Sequence, residues 1–169
     1  MDYFKVELGD KENISKLSKL ASAIVKEHFD PIIGSRQNDY MISKFQTVEA
    51  ISGQLEQGYQ YYFCFLEEEI VGFTAFCIRD DVMYLSKFYL KKEFRGRGLA
   101  KEMLAFVSDN TRNANRNAIE LNVNRNNSAV KAYEKMGFYK TREEKNDIGS
   151  GFVMDDYVMR YDIDLASER

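Results

Sequence analysis

The 169-residue chain has no tryptophan, one proline, one histidine and two cysteines. Each scarcity excludes something. Cys64 and Cys77 are too few for a secreted disulfide framework. Together with His28 they cannot complete a four-ligand Cys/His zinc site, so no metal is expected. A histidine-centred triad would have to use His28. No apolar run approaches the ~20 residues that cross a bilayer. The opening MDYFKVELGDKEN lacks a basic segment followed by an apolar one, so no signal peptide is expected and a soluble cytoplasmic protein is the default. No internal repeat, low-complexity tract or Pro/Gly/Ser linker divides the chain, and its length fits one domain over residues 1–169. A formal charge of −3 argues against the broadly basic surface of a nucleic-acid binder. With 44% hydrophobic residues, disorder is excluded as well.

The hydrophobic pattern predicts a strand at Tyr3–Leu8 and a helix from Glu12 to His28, with Ile14, Leu17, Leu20, Ala21, Ile24 and Val25 on one face. Pro31 disfavours helix in the residue before it, so Phe29–Asn38 reads as a loop. A second helical region runs from Asp39 to Gln57, with a break near Thr47, a suitable N-cap, and a stop at Gly58. Then come Tyr59–Leu66, Ile70–Ile78 and Val82–Leu90, three strands joined by short polar connections, which implies antiparallel hairpins. A helix over Gly98–Asn113 leads to an alternating strand, Ala118–Asn124. A helix between two strands implies a right-handed crossover and parallel pairing. Another helix, Ser128–Met136, stops at Gly137. Phe138–Glu143 and Phe152–Ile163 read as the last strands. The fold class is α/β, or α+β with a mixed sheet, antiparallel first and locally parallel later.

The most informative stretch is Leu90–Ala100, LKKEFRGRGLA, between a predicted strand and a predicted helix. Gly96 and Gly98 permit backbone conformations closed to other residues. A helix start presents unpaired N–H groups and a positive dipole end. Lys87, Lys91, Lys92, Arg95, Arg97 and Lys101 stand against one acid, Glu93. These features suit a compact polyphosphate. The segment carries neither the GKS/GKT of a nucleotidase phosphate loop nor a G-x-G-x-x-G spacing.

Arg95-x-x-Gly98-x-Ala100 resembles the R/Q-x-x-G-x-G/A pyrophosphate loop of the GCN5-related N-acetyltransferases. A second motif, Asn126 followed by a helix ending in Tyr133-x-x-x-Gly137-Phe138, resembles the other signature of that family, in the same order. The resemblance covers about Tyr59–Phe138. It implies the acyl-CoA N-acyltransferase fold, with antiparallel strands, then a parallel pair splayed around the cofactor, and helices on both faces. It implies acetyl-CoA as co-substrate. Main-chain groups of Phe88, Tyr89 and Leu90 would lie against pantetheine. N–H groups across Arg95, Gly96, Arg97, Gly98, Leu99 and Ala100 would hold the pyrophosphate. Asn126 would hydrogen-bond the pantetheine arm, although an asparagine there also suits a helix cap. Tyr133 would act as general acid on the departing thiolate, with Phe138 packed against its ring in a Schellman cap.

Many members place a Glu or Asp in the strand before the loop as general base. Met83–Leu90 contains none, and no base is assigned. A lone His28 at a helix end reads as a cap or surface residue. Cys64 and Cys77 lie in aromatic strands and read as core thiols, so direct attack in a ternary complex is expected. The resemblance implies acceptor contact by Phe29–Asn38 and by Glu144–Asp156. From Glu143 to Arg169 there are eight acidic and three basic residues, which would attract a cationic amine. This is loosely similar to the bacterial spermidine/spermine acetyltransferases. The expected partner is a small-molecule amine, with no nucleic acid or membrane and with a homodimer left open. Two alternatives stand beside it: a protein N-terminal or lysine acetyltransferase, and a non-catalytic CoA-binding module.

Overall fold

A computed structural model describes residues 1–164. Glu168 and Arg169, counted above in the acidic C-terminal stretch, lie outside them. The order is β1 (Asp2–Val6), α1 (Lys11–Ile33), α2 (Ser35–Phe45), α3 (Val48–Glu56), β2 (Gln60–Leu66), β3 (Glu69–Arg79) and β4 (Val82–Leu90). A single 3-10 turn (Lys92–Phe94), α4 (Leu99–Asn113), β5 (Ala118–Asn124), α5 (Ala129–Met136), β6 (Tyr139–Gly149) and β7 (Phe152–Asp162) follow. The strands form one mixed sheet in the order β1-β2-β3-β4-β5-β7-β6. No helix among the described residues is long and apolar enough to cross a membrane.

Two compact units share the chain. The first is Met1–Cys77 with Lys87–Leu104, and the second is Ile78–Ser86 with Ala105 onward. In the first unit, β1 pairs antiparallel with β2, and β2 antiparallel with β3. Alternation sends Tyr61, Phe63, Phe73 and Ala75 to one face, where they pack with Ile14, Leu17, Ala21, Ile24 and Ile51 of α1 and α3. Cys64 and Val71 go to the other face, with Phe94, Leu99 and Met103. Period-2 strands buried on both faces read as near-continuous apolar runs, which is why YQYYFCFL and IVGFTAFCI look as they do.

Helix α1 does not stop before Pro31. It runs to Ile33, with the proline inside. The residue before a proline is only disfavoured in the helix, and here tertiary contacts decide. Buried Asn38 of α2 donates from Nδ2 to the Val25 carbonyl at 3.1 Å and to Asp30 Oδ1 at 2.8 Å. Lys26 pairs with both Asp30 and Asp39. The expected loop Phe29–Asn38 is therefore two helices meeting at Gly34. Thr47 caps α3 as expected, its Oγ1 accepting from the Ala50 N–H.

Strand β3 carries an extra residue opposite β2, between the pairs Cys64↔Gly72 and Phe65↔Ile70. That bulge turns the Val71 carbonyl to accept the Lys91 N–H at 2.8 Å. It also brings β4 close. A Cβ on Gly72 would lie 2.1 Å from the Tyr89 carbonyl oxygen and 3.1 Å from Leu90 Cα. Both obstacles are backbone and cannot rotate away. Gly72→Ala is expected to lower stability by roughly 3 kcal/mol, the upper range for overpacking. A urea midpoint equal to wild type would show that the two strands are not held this closely.

In the second unit, β4 pairs parallel with β5 at Met83↔Ile119 and Tyr84↔Glu120. Strand β7 lies antiparallel between β5 and β6. The hairpin β6–β7 turns at Ser150-Gly151, both at positive φ, as a two-residue type I′ turn requires. The sequence reading ends the first of these strands at Glu143, whereas β6 continues to Gly149.

Candidate active site

The first unit builds an anion cradle from its own backbone. The Arg95 N–H closes the 3-10 turn on the Lys92 carbonyl at 3.2 Å. After it the backbone alternates, with Gly96 and Gly98 both at φ +78°. Alternating conformations of this kind turn successive N–H groups into one concavity. The N–H groups from Gly96 to the start of α4 have no acceptor among the described residues. A Cβ at Gly96 or Gly98 would meet nothing within 4 Å, so the loop is open beside both glycines. Leu99 and Met103, buried on the core face, fix the direction of α4. Its dipole adds to the attraction for an anion. These residues fit a pyrophosphate.

Two of the positive side chains counted from the sequence serve other purposes. Arg95 turns inward, its guanidinium pairing with Glu27 of α1 at 2.8 Å while Nε donates to the Leu90 carbonyl at 3.1 Å. With its N–H also used, Arg95 braces the cradle rather than lining it. Lys87 is 6% exposed and donates from Nζ to Gln46 Oε1 at 3.1 Å. Burial pushes its pKa down to about 8. Counting charges along a sequence does not see burial, and Lys87 is not part of the loop. Arg97 stays exposed, over the Phe94 ring at 5.1 Å.

Along β4 the main-chain groups of successive residues point to opposite edges. Tyr89 turns its carbonyl to Gly72 of β3, and the Leu90 carbonyl is taken by Arg95. Of the three residues expected at pantetheine, Phe88 and the Leu90 N–H face the other edge, by strand alternation. Side chains alternate too. Phe88 and Leu90 pack on the α4 face, while Tyr89 packs on the α1 and α3 face.

The second unit holds the other motif. Gly137 ends α5 at φ +110°, and the Phe138 N–H reaches back to the Tyr133 carbonyl at 3.0 Å. Phe138 stands edge-on to the half-buried Tyr133 ring, with centroids 5.4 Å apart. This is the expected Schellman arrangement. The helix start differs from expectation. Asn127 is buried and its Oδ1 accepts from the Ala129 N–H at 2.9 Å. That leaves the exposed Asn126 side chain out of the cap.

The same unit contains a polar network that sequence reading missed. Tyr84 donates to Asn122 Oδ1 at 3.1 Å. Asn122 Nδ2 meets Glu144 Oε1 at 3.0 Å and Asp156 Oδ2 at 3.4 Å. Arg142 pairs with Glu144 and Glu120, and Arg125 with Glu143 and Asp155. Asp156 is 3% exposed and has no ion pair among the described residues. Its burial, then the charges of Glu144 and Asp155, outweigh the Asn122 bond and raise its pKa. Only the acidic excess of this stretch was visible beforehand.

Cys64 is wholly buried, and desolvation pushes its thiol up to about 12. It is not a nucleophile at neutral pH. Cys77 is a buried free thiol. His28 lies in α1, edge-on to Phe29 at 4.8 Å. Among the described residues no group of His, Cys, Asp or Glu side chains is placed to hold a metal ion.

A family model described as the acetyltransferase (GNAT) domain matches residues 30–158. The chain belongs to the GNAT acetyltransferases. It is an N-acetyltransferase, and acetyl-CoA is its co-substrate. Solved structures agree in fold. The PaiA N-acetyltransferase of Thermoplasma acidophilum, solved in complex with coenzyme A, matches with a TM-score of 0.76 and 20% identity, over 96% of this chain and 99% of that one. A GCN5-related N-acetyltransferase from Rhodopseudomonas palustris matches with a TM-score of 0.78 and 12% identity, over 96% and 95%. The ribosomal-protein-S18-alanine N-acetyltransferase of Escherichia coli matches with a TM-score of 0.63 and 15% identity, over 99% and 98%. At these identities the likeness to this GNAT enzyme is one of fold.

Proposed function

We propose that the enzyme moves the acetyl group of acetyl-CoA to a primary amine of a small cationic molecule, a polyamine being the first class to test. Attack is direct, with both substrates bound. The N–H groups of Gly96–Ala100 would hold the pyrophosphate, Phe88 and Leu90 the pantetheine, and Asn126 its amides. Tyr133 would give its proton to the departing thiolate. The observation that carries the acceptor class is Asp156. It is a buried carboxylate with no ion pair of its own among the described residues, reached only by the more distant charge of Arg125, beside acids that are directly paired. A buried carboxylate that lacks a counter-charge is costly, and a cationic amine supplies one. The Cys64 thiol, held protonated, supports direct attack over a cysteine-bound acetyl.

Thiol release from acetyl-CoA over a panel of spermidine, simple diamines and lysine-bearing or N-terminal peptides tests this. Turnover with spermidine or a diamine is expected. Turnover with peptides alone would make it a protein acetyltransferase. Binding of acetyl-CoA with no turnover on any amine would make it a binding module.

A further inference from the structure

The transfer reaction leaves one proton without a destination. An amine with a pKa near 10 arrives as an ammonium and must lose a proton before it can attack. Strand β4 carries no carboxylate to accept it. It does carry Lys87. If the pyrophosphate sits at Gly96–Ala100 and pantetheine runs back along Leu90 and Phe88, the next residue of β4 toward the reacting end is Lys87. By strand alternation it shares the face of Tyr89, as its bond to Gln46, between α2 and α3, requires. The structure holds this side chain in an unusual way. An ammonium has three donors, and one is taken, by a neutral amide oxygen. No carboxylate among the described residues pairs with it. Its partner Gln46 is itself held, its main-chain carbonyl accepting from Ser18 of α1 at 2.6 Å, and the Lys87 main-chain carbonyl accepts from the Thr74 hydroxyl of β3 at 2.8 Å. A buried cation with no counter-charge contributes nothing to the fold that an apolar chain of equal length would not.

We propose that Lys87 Nζ is the proton acceptor for the acceptor amine. This inference rests on the transferase reading above. The neutral lysine takes one proton from the substrate ammonium, R–NH3⁺. The freed amine forms the C–N bond to the acetyl carbon and the C–S bond breaks. The second N–H proton leaves the amide nitrogen as the thiolate gains one from Tyr133, which is thereby restored. The proton on Lys87 passes to solvent, so the sum is one amide, one thiol and one proton released. A base is most effective when its pKa lies near the working pH. Desolvation alone brings Lys87 from 10.5 to about 8, two units below the ammonium rather than the six of an ordinary carboxylate.

The test uses the full chain with the amine that wild type turns over fastest, and a second acceptor of aniline type that arrives unprotonated. Lys87→Met and Lys87→Arg are compared with wild type in kcat/KM between pH 6 and 10, in CoA binding and in thermal unfolding. For wild type, kcat/KM should rise with an inflection near pH 8. Lys87→Met should bind CoA within about twofold. It should lose roughly 100-fold or more in turnover of the protonated amine, the typical share of a general base, together with that inflection. It should turn over the aniline-type acceptor within a few-fold of wild type. Lys87→Arg, which cannot become neutral, should lose the same turnover. It keeps the inference testable if the methionine variant fails to fold. Stability should change in the opposite sense. The native lysine binds fewer protons than the unfolded one between about pH 8 and 10.5, so its cost is full below pH 8, fades as pH rises through that window and is gone above it. Lys87→Met should therefore unfold at a higher temperature at pH 7, with the gain shrinking by pH 10. Unchanged turnover, an inflection that persists in either variant, or equal losses with both acceptors would overturn the assignment. No turnover by wild type on any amine would overturn the transferase reading and this inference together.

Discussion

Tyr133→Phe should lower kcat by about 100- to 10,000-fold, the range for loss of a positioned general acid, and leave CoA affinity within a few-fold of wild type. The substitution removes the phenol oxygen and keeps the ring. That ring stands edge-on to Phe138, in a cap built from main-chain bonds, so the packing should survive. The effect should therefore fall on the chemical step. Thiol release under saturating acetyl-CoA, set beside a CoA titration, separates the two quantities. Equal turnover in wild type and Tyr133→Phe would remove the phenol from the mechanism. A matching loss of CoA affinity would instead make Tyr133 a binding residue.

Gly98→Val should do the reverse. It should weaken CoA binding by between about tenfold and a hundredfold, the loss of a charge-assisted hydrogen bond worth roughly 1.5–3 kcal/mol. Two causes act together. A φ of +78° suits glycine and costs a branched residue on the order of 1–2 kcal/mol. The new side chain would also enter the open space beside Gly98, on the loop where the pyrophosphate is expected. No protein atom lies there to be displaced, so the fold should tolerate the change better than the binding does. Titration of CoA into the folded variant checks it. Wild-type affinity would place the phosphates elsewhere.

The elements that carry the cofactor motifs were legible because local signals bound them sharply. Strands β4 and β5 run between turn residues and alternate in burial, and their limits agree with the sequence reading. The Gly137 stop of α5 and the Thr47 cap of α3 were likewise written in single residues. Pro31 misled because its local preference was overruled by Asn38, whose side chain bonds Asp30 from eight positions away. The second half of β6 was missed because Lys145, Asn146 and Asp147 carry no apolar alternation. It is an exposed edge, and charged edges resist unwanted pairing. The insertion of β7 between β5 and β6 depends on long-range pairing that no local pattern records. The candidate site divides in the same way. Gly96, Gly98 and Tyr133 lie in contiguous motifs, which a sequence displays directly. Lys87 was counted with the charges of the phosphate-binding stretch because burial is a tertiary property. Asp156 was lost in an acidic average because its neighbours Asn122 and Glu144 come from other strands.

The most direct test of the central claim is to identify where the acetyl group goes. The full chain is incubated with acetyl-CoA and the amine panel, and small-molecule products and intact protein are both analysed by mass spectrometry. One N-acetylated amine formed for each thiol released, with the protein unmodified, is the predicted result. Acetate in place of an acetylated amine, or an acetyl group retained on Cys64 or Cys77, would contradict it.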